Sequence, residues 1–240
     1  MPDGVLNLHV HTQFSDGVFD IDELCEAHLK CESPRVAGIG LADHLFLTPS
    51  SREPANERDF QRIFREETAR YVQGVEAARS RWAGRMQIFC GCEINWPLNR
   101  RWVESIRELL RGLDFVLFEF VDWNGLTTLA SLARQWPCPI GLAHTDVAQA
   151  FPNTSLDQIV RTMANARMFY EVNPKLAPLS RHDRWFAHVS RHRVRLSLGT
   201  DTHDDLGSID EIGGLLAFVR EHGLEDRLFS PAATAAARSA

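Results

Sequence analysis

Apolar runs rich in β-branched residues recur along the chain at 5–10, 36–42, 86–92, 115–121, 140–143, 168–172 and 194–198. Each has the length of a strand, and each is too continuously apolar for a sheet with one wet face. Between them lie segments of helical periodicity at 21–30, 57–82, 101–110, 126–136, 156–166, 183–191 and 209–221. Strand and helix therefore alternate throughout, which predicts an α/β fold: a parallel sheet covered by helices, either a closed barrel or an open doubly wound sheet. The prolines agree with these limits. Pro34 precedes the second run, Pro137 and Pro139 the fifth, and Pro97, Pro152 and Pro174 follow strand ends. The 57–82 segment carries six arginines among many acids and reads as a solvated outer helix. The Ala- and Ser-rich stretch 230–240 has little to bury and is expected to be a frayed tail. No internal repeat is visible.

Composition narrows the picture. A chain of 240 residues, 44% apolar, can fill one substantial core, and the expectation is one domain over 1–240. Lys and Arg total 26 against 32 Asp and Glu, and a net charge of −6 offers no general attraction to a long nucleic acid. No run approaches the ~20 apolar residues that span a bilayer, and residues 1–11 lack the pattern of a signal peptide. A cytoplasmic protein with no membrane partner is expected. Cys25, Cys31, Cys90, Cys92 and Cys138 form neither an even disulfide framework nor paired zinc spacings, so reduced thiols are expected. Cys90 and Cys92 read as small buried hydrophobes.

Ionisable residues collect at the C-terminal ends of the strand-like runs. His9 and His11 close the first, Asp43 and His44 the second, Glu93 the third, His144 the fifth and Glu171 the sixth, while Asp201 and His203 follow the last. In parallel α/β sheets that face is where sites are built. Side chains two apart on a strand project to one side, so His9-x-His11 and Asp201-x-His203 can each turn toward one ion. Burying so many imidazoles and carboxylates uncompensated would be costly, whereas divalent cations bind them directly. His28, His182, His188, His192 and His222 read instead as ordinary core or surface residues, most of them on helices.

The motifs HVHTQFSDG at 9–17, LADH at 41–44, GLAHTD at 141–146 and LGTDTH at 198–203 occur in order, with GCE at 91–93 and YEVN at 170–173. On these the chain, over roughly residues 5–220, resembles the PHP family, named for its polymerase and histidinol phosphatase members. The resemblance implies a distorted seven-stranded (β/α)7 barrel and a metal-dependent phosphoesterase with two or three divalent ions (Zn, Mn or Fe). It implies one ion on His9, His11, Glu93 and Asp201, with Glu93 bridging to a second that takes His144. A third would take Asp16, His44 and His203.

One departure stands out. The family supplies a further histidine from the fourth strand, and here that stretch reads LDFVLFEFVDWN, with Val121 at the expected position. Glu119, on the same strand face, or the adjacent Asp122 is the candidate substitute, with Glu119 preferred; otherwise the second ion is weak or absent.

A hydroxide bridging two ions is the expected nucleophile, since coordination lowers the pKa of water toward ~7. Glu93, Asp201 and His203 are the catalytic candidates, while Asp43 and Glu171 are expected to orient ligands from behind. The general acid is unassigned. Lys175, Arg181, His182 and Arg184 are expected near the same mouth, with Arg181 the candidate phosphate clamp. Cys92 and Trp96 either flank the site or pack. The leading substrate is a small phosphomonoester of the histidinol phosphate or nucleotide type. A phosphodiesterase or 5′-to-3′ exonuclease on short nucleic acids and a weakly catalytic metal-binding regulatory protein are the alternatives.

Overall fold

The computed structural model describes residues 4–31 and 33–231, so most of the expected tail, 232–240, lies outside the described residues. Among these residues eight strands are interspersed with helices: β1 Val5–Val10, β2 Val36–Leu41, β3 Gln87–Cys90, β4 Glu93–Asn95, β5 Val116–Glu119, β6 Ile140–Leu142, β7 Phe169–Val172 and β8 Arg195–Leu198. The helices are α1 Ile21–Leu29, α2 Glu57–Trp82, α3 Trp96–Asn99, α4 Val103–Leu109, α5 Trp123–Leu132, α6 Val147–Ala150, α7 Leu156–Ala166, α8 Asp183–Arg191 and α9 Ile212–Glu221. All recorded strand pairs are parallel, in the order β1-β2-β3 and β4-β5-β6-β7-β8. The chain thus has the α/β fold with parallel sheets that the alternation predicts.

The strand count differs from seven because the 86–92 run breaks. Pairing with β2 ends at Cys90, and pairing with β5 begins at Glu93. At the break the Phe115 ring lies where a Cβ on Gly91 would stand, and a Cβ on Gly40 would meet the same ring at 2.8 Å. The bend is thus set by an aromatic ring distant in sequence that only glycine admits. Backbone bonds continue across it, Gly91 N to Leu41 O at 2.8 Å and Leu117 N to Cys92 O at 2.9 Å. On the other side, Asp201 N donates to His9 O (2.8 Å) and His11 N to Thr202 O (2.9 Å), joining the ends of β1 and β8. Both seams of the two sheets are therefore hydrogen-bonded, and both carry site residues.

Helix α2 buries Phe60, Phe64, Thr68, Tyr71, Val75, Ala78 and Trp82 at three- and four-residue spacings, which leaves its arginines outward. Arg79 pairs with Glu76 and Asp114, and Arg81 with Asp22, so the solvated-helix expectation matches the contacts. Helix α5 starts earlier than expected because Asp122 caps it, its carboxylate accepting from Gly125 N at 2.7 Å. The five cysteines form no disulfide among the described residues, and Cys92 and Trp96 lie in the apolar core. Among the described residues no helix is long and apolar enough to cross a membrane.

One buried polar network fixes β1 against the loop after β8. Asn7 Nδ2 donates to Thr200 Oγ1 (2.8 Å) and stands 2.9 Å from His28 Nε2, and Asn7 Oδ1 accepts from Thr200 N (3.1 Å). His28 Nδ1 donates to Leu24 O at 2.7 Å, so Nε2 is the acceptor and the ring is neutral. Burial pushes the His28 imidazole down to about 4. His28→Ala, which takes away one acceptor of the buried Asn7 amide, is expected to cost about 2 kcal/mol of stability at pH 7, measured by urea unfolding. The unfolded ring takes up protons below ~6.5 while the folded ring waits until about 4, so this stabilisation shrinks as pH falls between them. A variant as stable as the parent at pH 7 would refute the role.

Candidate metal centre

The candidate residues stand on strand ends at the two seams. His9 and His11 sit on and just after β1, Glu93 opens β4, and Asp201 and His203 follow β8. His9, His11 and Glu93 are 2% exposed or less, and Asp201 is also buried. His144 and Asp201 hold backbone φ of 24° and 56°, a region costly for side chains other than glycine. That cost aims both side chains inward.

His9 Nε2 lies 3.5 Å from Glu93 Oε2 and 3.3 Å from Asp201 Oδ1, and His11 Nε2 lies 3.5 and 3.1 Å from the same two atoms. The two Nε2 atoms are 2.9 Å apart. A second set surrounds Asp16: His11 Nδ1 and His203 Nε2 are 3.3 and 3.5 Å from Oδ1, and His44 Nε2 is 3.6 Å from Oδ2. Among the described residues, three groups bring ligand-type atoms within reach of one ion: His9, His11, Glu93 and Asp201; His11, Asp16, His44 and His203; and His44, Glu93 and Glu119. The third differs from expectation. Glu119 stands with His44 and Glu93, while His144, whose Nε2 is 2.9 Å from Glu93 Oε1, falls in none of the three. Asp122, the other substitute, is spent on capping α5.

Partners behind the cluster orient it. Glu171 Oε1 accepts from His9 Nδ1 at 2.6 Å and its Oε2 from His144 N at 2.6 Å, which leaves the His9 Nε2 lone pair facing the carboxylates. Asp43 accepts from Thr12 N (2.8 Å), Ser15 Oγ (2.7 Å) and Thr12 Oγ1 (2.9 Å), holding the loop that presents Asp16. His203 Nδ1 donates to Asp201 O at 2.8 Å, which frees its Nε2 toward Asp16.

The electrostatics are those of a dense cluster. Burial alone would lower the His9 imidazole, but Glu171, Asp201 and Glu93 carry it well above its usual range. Burial opposes the His11 shift too, and Asp16 and Asp201 raise it. Asp201 and Glu93 go down despite burial, held by the histidines, His9 foremost. Glu119, pushed by burial and then by Glu93, rises to about 7.

Five buried atoms of the cluster, His11 Nδ1, Glu93 Oε1, His144 Nε2 and both Asp201 carboxylate oxygens, make no hydrogen bond. Opposite groups stand within 4 Å of each, at angles no hydrogen bond allows. Natural proteins rarely leave such atoms orphaned without an ion or other group to serve. A donor set of imidazoles and carboxylates suits Zn, Mn or Fe. The residues therefore fit divalent cations.

Two cavities flank the cluster. One of about 510 Å³ is lined by Phe120, His144, Lys175, Arg181 and His182, and one of about 690 Å³ by Asp16, His44, Phe46, Phe64, Glu119 and Phe120. Arg181 thus shares a cavity with His144, but Arg184 does not; it lines a separate cavity with Phe151 and His188, because its helix α8 has turned away. His182 is buried and bonds Leu176 O at 3.1 Å. His188 and His222 bond backbone oxygens of their own helical turns, and His192 meets Asp157. Lys175, expected near the mouth, reaches into the cluster and pairs with Asp201. One feature escaped sequence reading. Phe120 stands 65% exposed between the cavities at a φ of 54°; a phenylalanine inside an apolar run carries no signal that it faces solvent.

The fold is similar to that of a histidinol phosphate phosphatase from Lactococcus lactis subsp. lactis Il1403, solved with zinc, L-histidinol and phosphate: TM-score 0.62, 16% identity, covering 92% of this chain and 95% of that one. A chain from an archaeal ribonuclease P structure with mature tRNA aligns at TM-score 0.53 and 12% identity, over 90% of this chain and 82% of that one. At such identities the likeness concerns the fold. No protein-family model matches the chain, and no curated protein matches it by sequence.

Proposed function

We propose that this chain is a metal-dependent phosphoesterase of the PHP type, acting on a small phosphomonoester. The observation that carries the reading is the set of buried, orphaned imidazole and carboxylate atoms converging at the two seams. The similar fold of a phosphatase solved with zinc and phosphate supports it. So do the backbone bonds that join the two sheets at both seams; with β3 and β4 taken as one bent strand, we read the sheets as one domain, a distorted seven-stranded barrel with the site at its mouth.

In this reading one ion takes His9, His11, Glu93 and Asp201, and another takes Asp16, His44 and His203. Bound divalent ions would activate water and draw charge from the phosphate oxygens. The chain's own residues do the rest. Glu171 fixes the His9 tautomer, Asp43 fixes the Asp16 loop, and Arg181 meets the phosphate bidentately from the 510 Å³ cavity. The second cavity, with Phe46, Phe64 and Phe120 on its walls, receives the organic part of the ester.

The test is to purify the chain, count bound metal, and screen phosphomonoesters, dinucleotides and short oligonucleotides with Zn, Mn and Fe added back. Metal-dependent turnover of monoesters is expected. Turnover of dinucleotides alone would transfer the assignment to a phosphodiesterase, and bound metal with no turnover would favour a regulatory metal-binding protein.

A further inference from the structure

Lys175 sits in a 3-10 turn, Pro174–Leu176, held by Asn173, whose side-chain oxygen accepts from Lys175 N at 2.9 Å. From there its ammonium pairs with Asp201 Oδ2, on a carboxylate side chain 1% exposed. His144 Nε2 is 3.9 Å from that same oxygen and 2.9 Å from Glu93 Oε1. Ammonium, imidazole and two carboxylates therefore share the corner where an ion bridging Glu93 and His144 would have to sit. The end of β5 offers that corner a buried valine, Val121, and no imidazole. His144 accordingly belongs to none of the three groups able to hold an ion. A divalent ion placed there would stand beside the Lys175 ammonium, and like charges so close repel strongly.

We propose that the Lys175 ammonium stands in for a third metal ion, so that the centre holds two divalent ions and one permanent side-chain cation. The inference rests on the metal-centre reading above. One ion takes His9, His11, Glu93 and Asp201 and the other Asp16, His44 and His203; the third group adds only Glu119 to residues already used, and the Lys175 ammonium offsets the carboxylate charge at the His144 corner. The ammonium carries three N–H donors in a compact head. The head pairs with Asp201 and lines the cavity shared with Arg181, where a substrate phosphate would meet both cations.

The experiment is metal stoichiometry on the full chain. Protein is loaded with excess Zn(II) or Mn(II), desalted and analysed by elemental mass spectrometry, with calorimetric titration for affinity. Two ions per chain are expected for the parent and for Lys175→Arg. A third is expected for Lys175→Glu, and a weaker third, seen in the titration, for Lys175→Met. Circular dichroism establishes that each variant is folded, and should Lys175→Met fail to fold, Lys175→Glu decides. Three ions in the parent, or two in a folded Lys175→Glu, would overturn the substitution while leaving a metal centre in place. No bound ion in the parent would remove the metal-centre reading itself, and this inference with it.

Discussion

Glu93→Gln is expected to lower kcat/KM on phosphomonoesters by about a thousandfold or more and to reduce bound metal by at least one ion per chain. Glu93 Oε2 lies 3.5 Å from His9 Nε2, His11 Nε2 and His44 Nδ1, and Oε1 lies 2.9 Å from His144 Nε2. Asp201 also meets four imidazoles, but it is paired with Lys175 as well. The amide keeps the volume and the backbone bonds of Glu93 to Ala42 and Asp43, so the seam survives. What is lost is the charge. An ion contributes several kcal/mol of transition-state stabilisation, and about 4 kcal/mol corresponds to roughly a thousandfold in rate. Steady-state kinetics and elemental analysis on the same preparation check both halves. Full metal content with activity within tenfold of the parent would dismiss Glu93 as a shared ligand.

Removing metal is expected to lower the Tm by on the order of 10 °C at pH 8. An ion held a thousandfold above its Kd stabilises by about 4 kcal/mol, and each kcal/mol moves a domain of this size by roughly 2–4 °C. The pH dependence gives the sharper signature. In the metal-free protein His9 and His11 keep their protons to higher pH than in the unfolded chain. The stability they contribute is full below ~6.5 and is lost as pH rises through their elevated values. Asp16, Asp201 and Glu93 are depressed, so their contribution holds above ~4 and fades only in acid. Between pH 6 and 8 the metal-free protein therefore weakens. Metal binding strengthens over the same range, because it requires unprotonated imidazoles. The Tm gap between loaded and chelated protein should widen from pH 6 to pH 8 in differential scanning calorimetry. A gap that narrows would mean that these histidines do not ligate.

Most of the strands were legible because a parallel sheet covered on both faces leaves continuous apolar runs, and polar residues then mark where each run ends. The candidate cluster was legible for the same reason: His9, His11, Asp43, His44, Glu93 and His144 interrupt or close such runs. The break between β3 and β4 was not, since it depends on Phe115 lying over Gly91. Nor was the fate of Asp122, whose capping of α5 competes with any other use of its carboxylate. Arg184 and Arg181 lie three positions apart, and only the turn into α8 sends them to different cavities.

The sequence by itself determined the alternating α/β pattern, the ordered motifs and the residue types that gather at strand ends, because these follow from local periodicity and spacing. The tertiary structure alone decided how β1 and β8 join, which imidazoles share Glu93, and that Lys175 meets Asp201. These depend on backbone pairing and packing between segments far apart along the chain, and no local pattern records such distances.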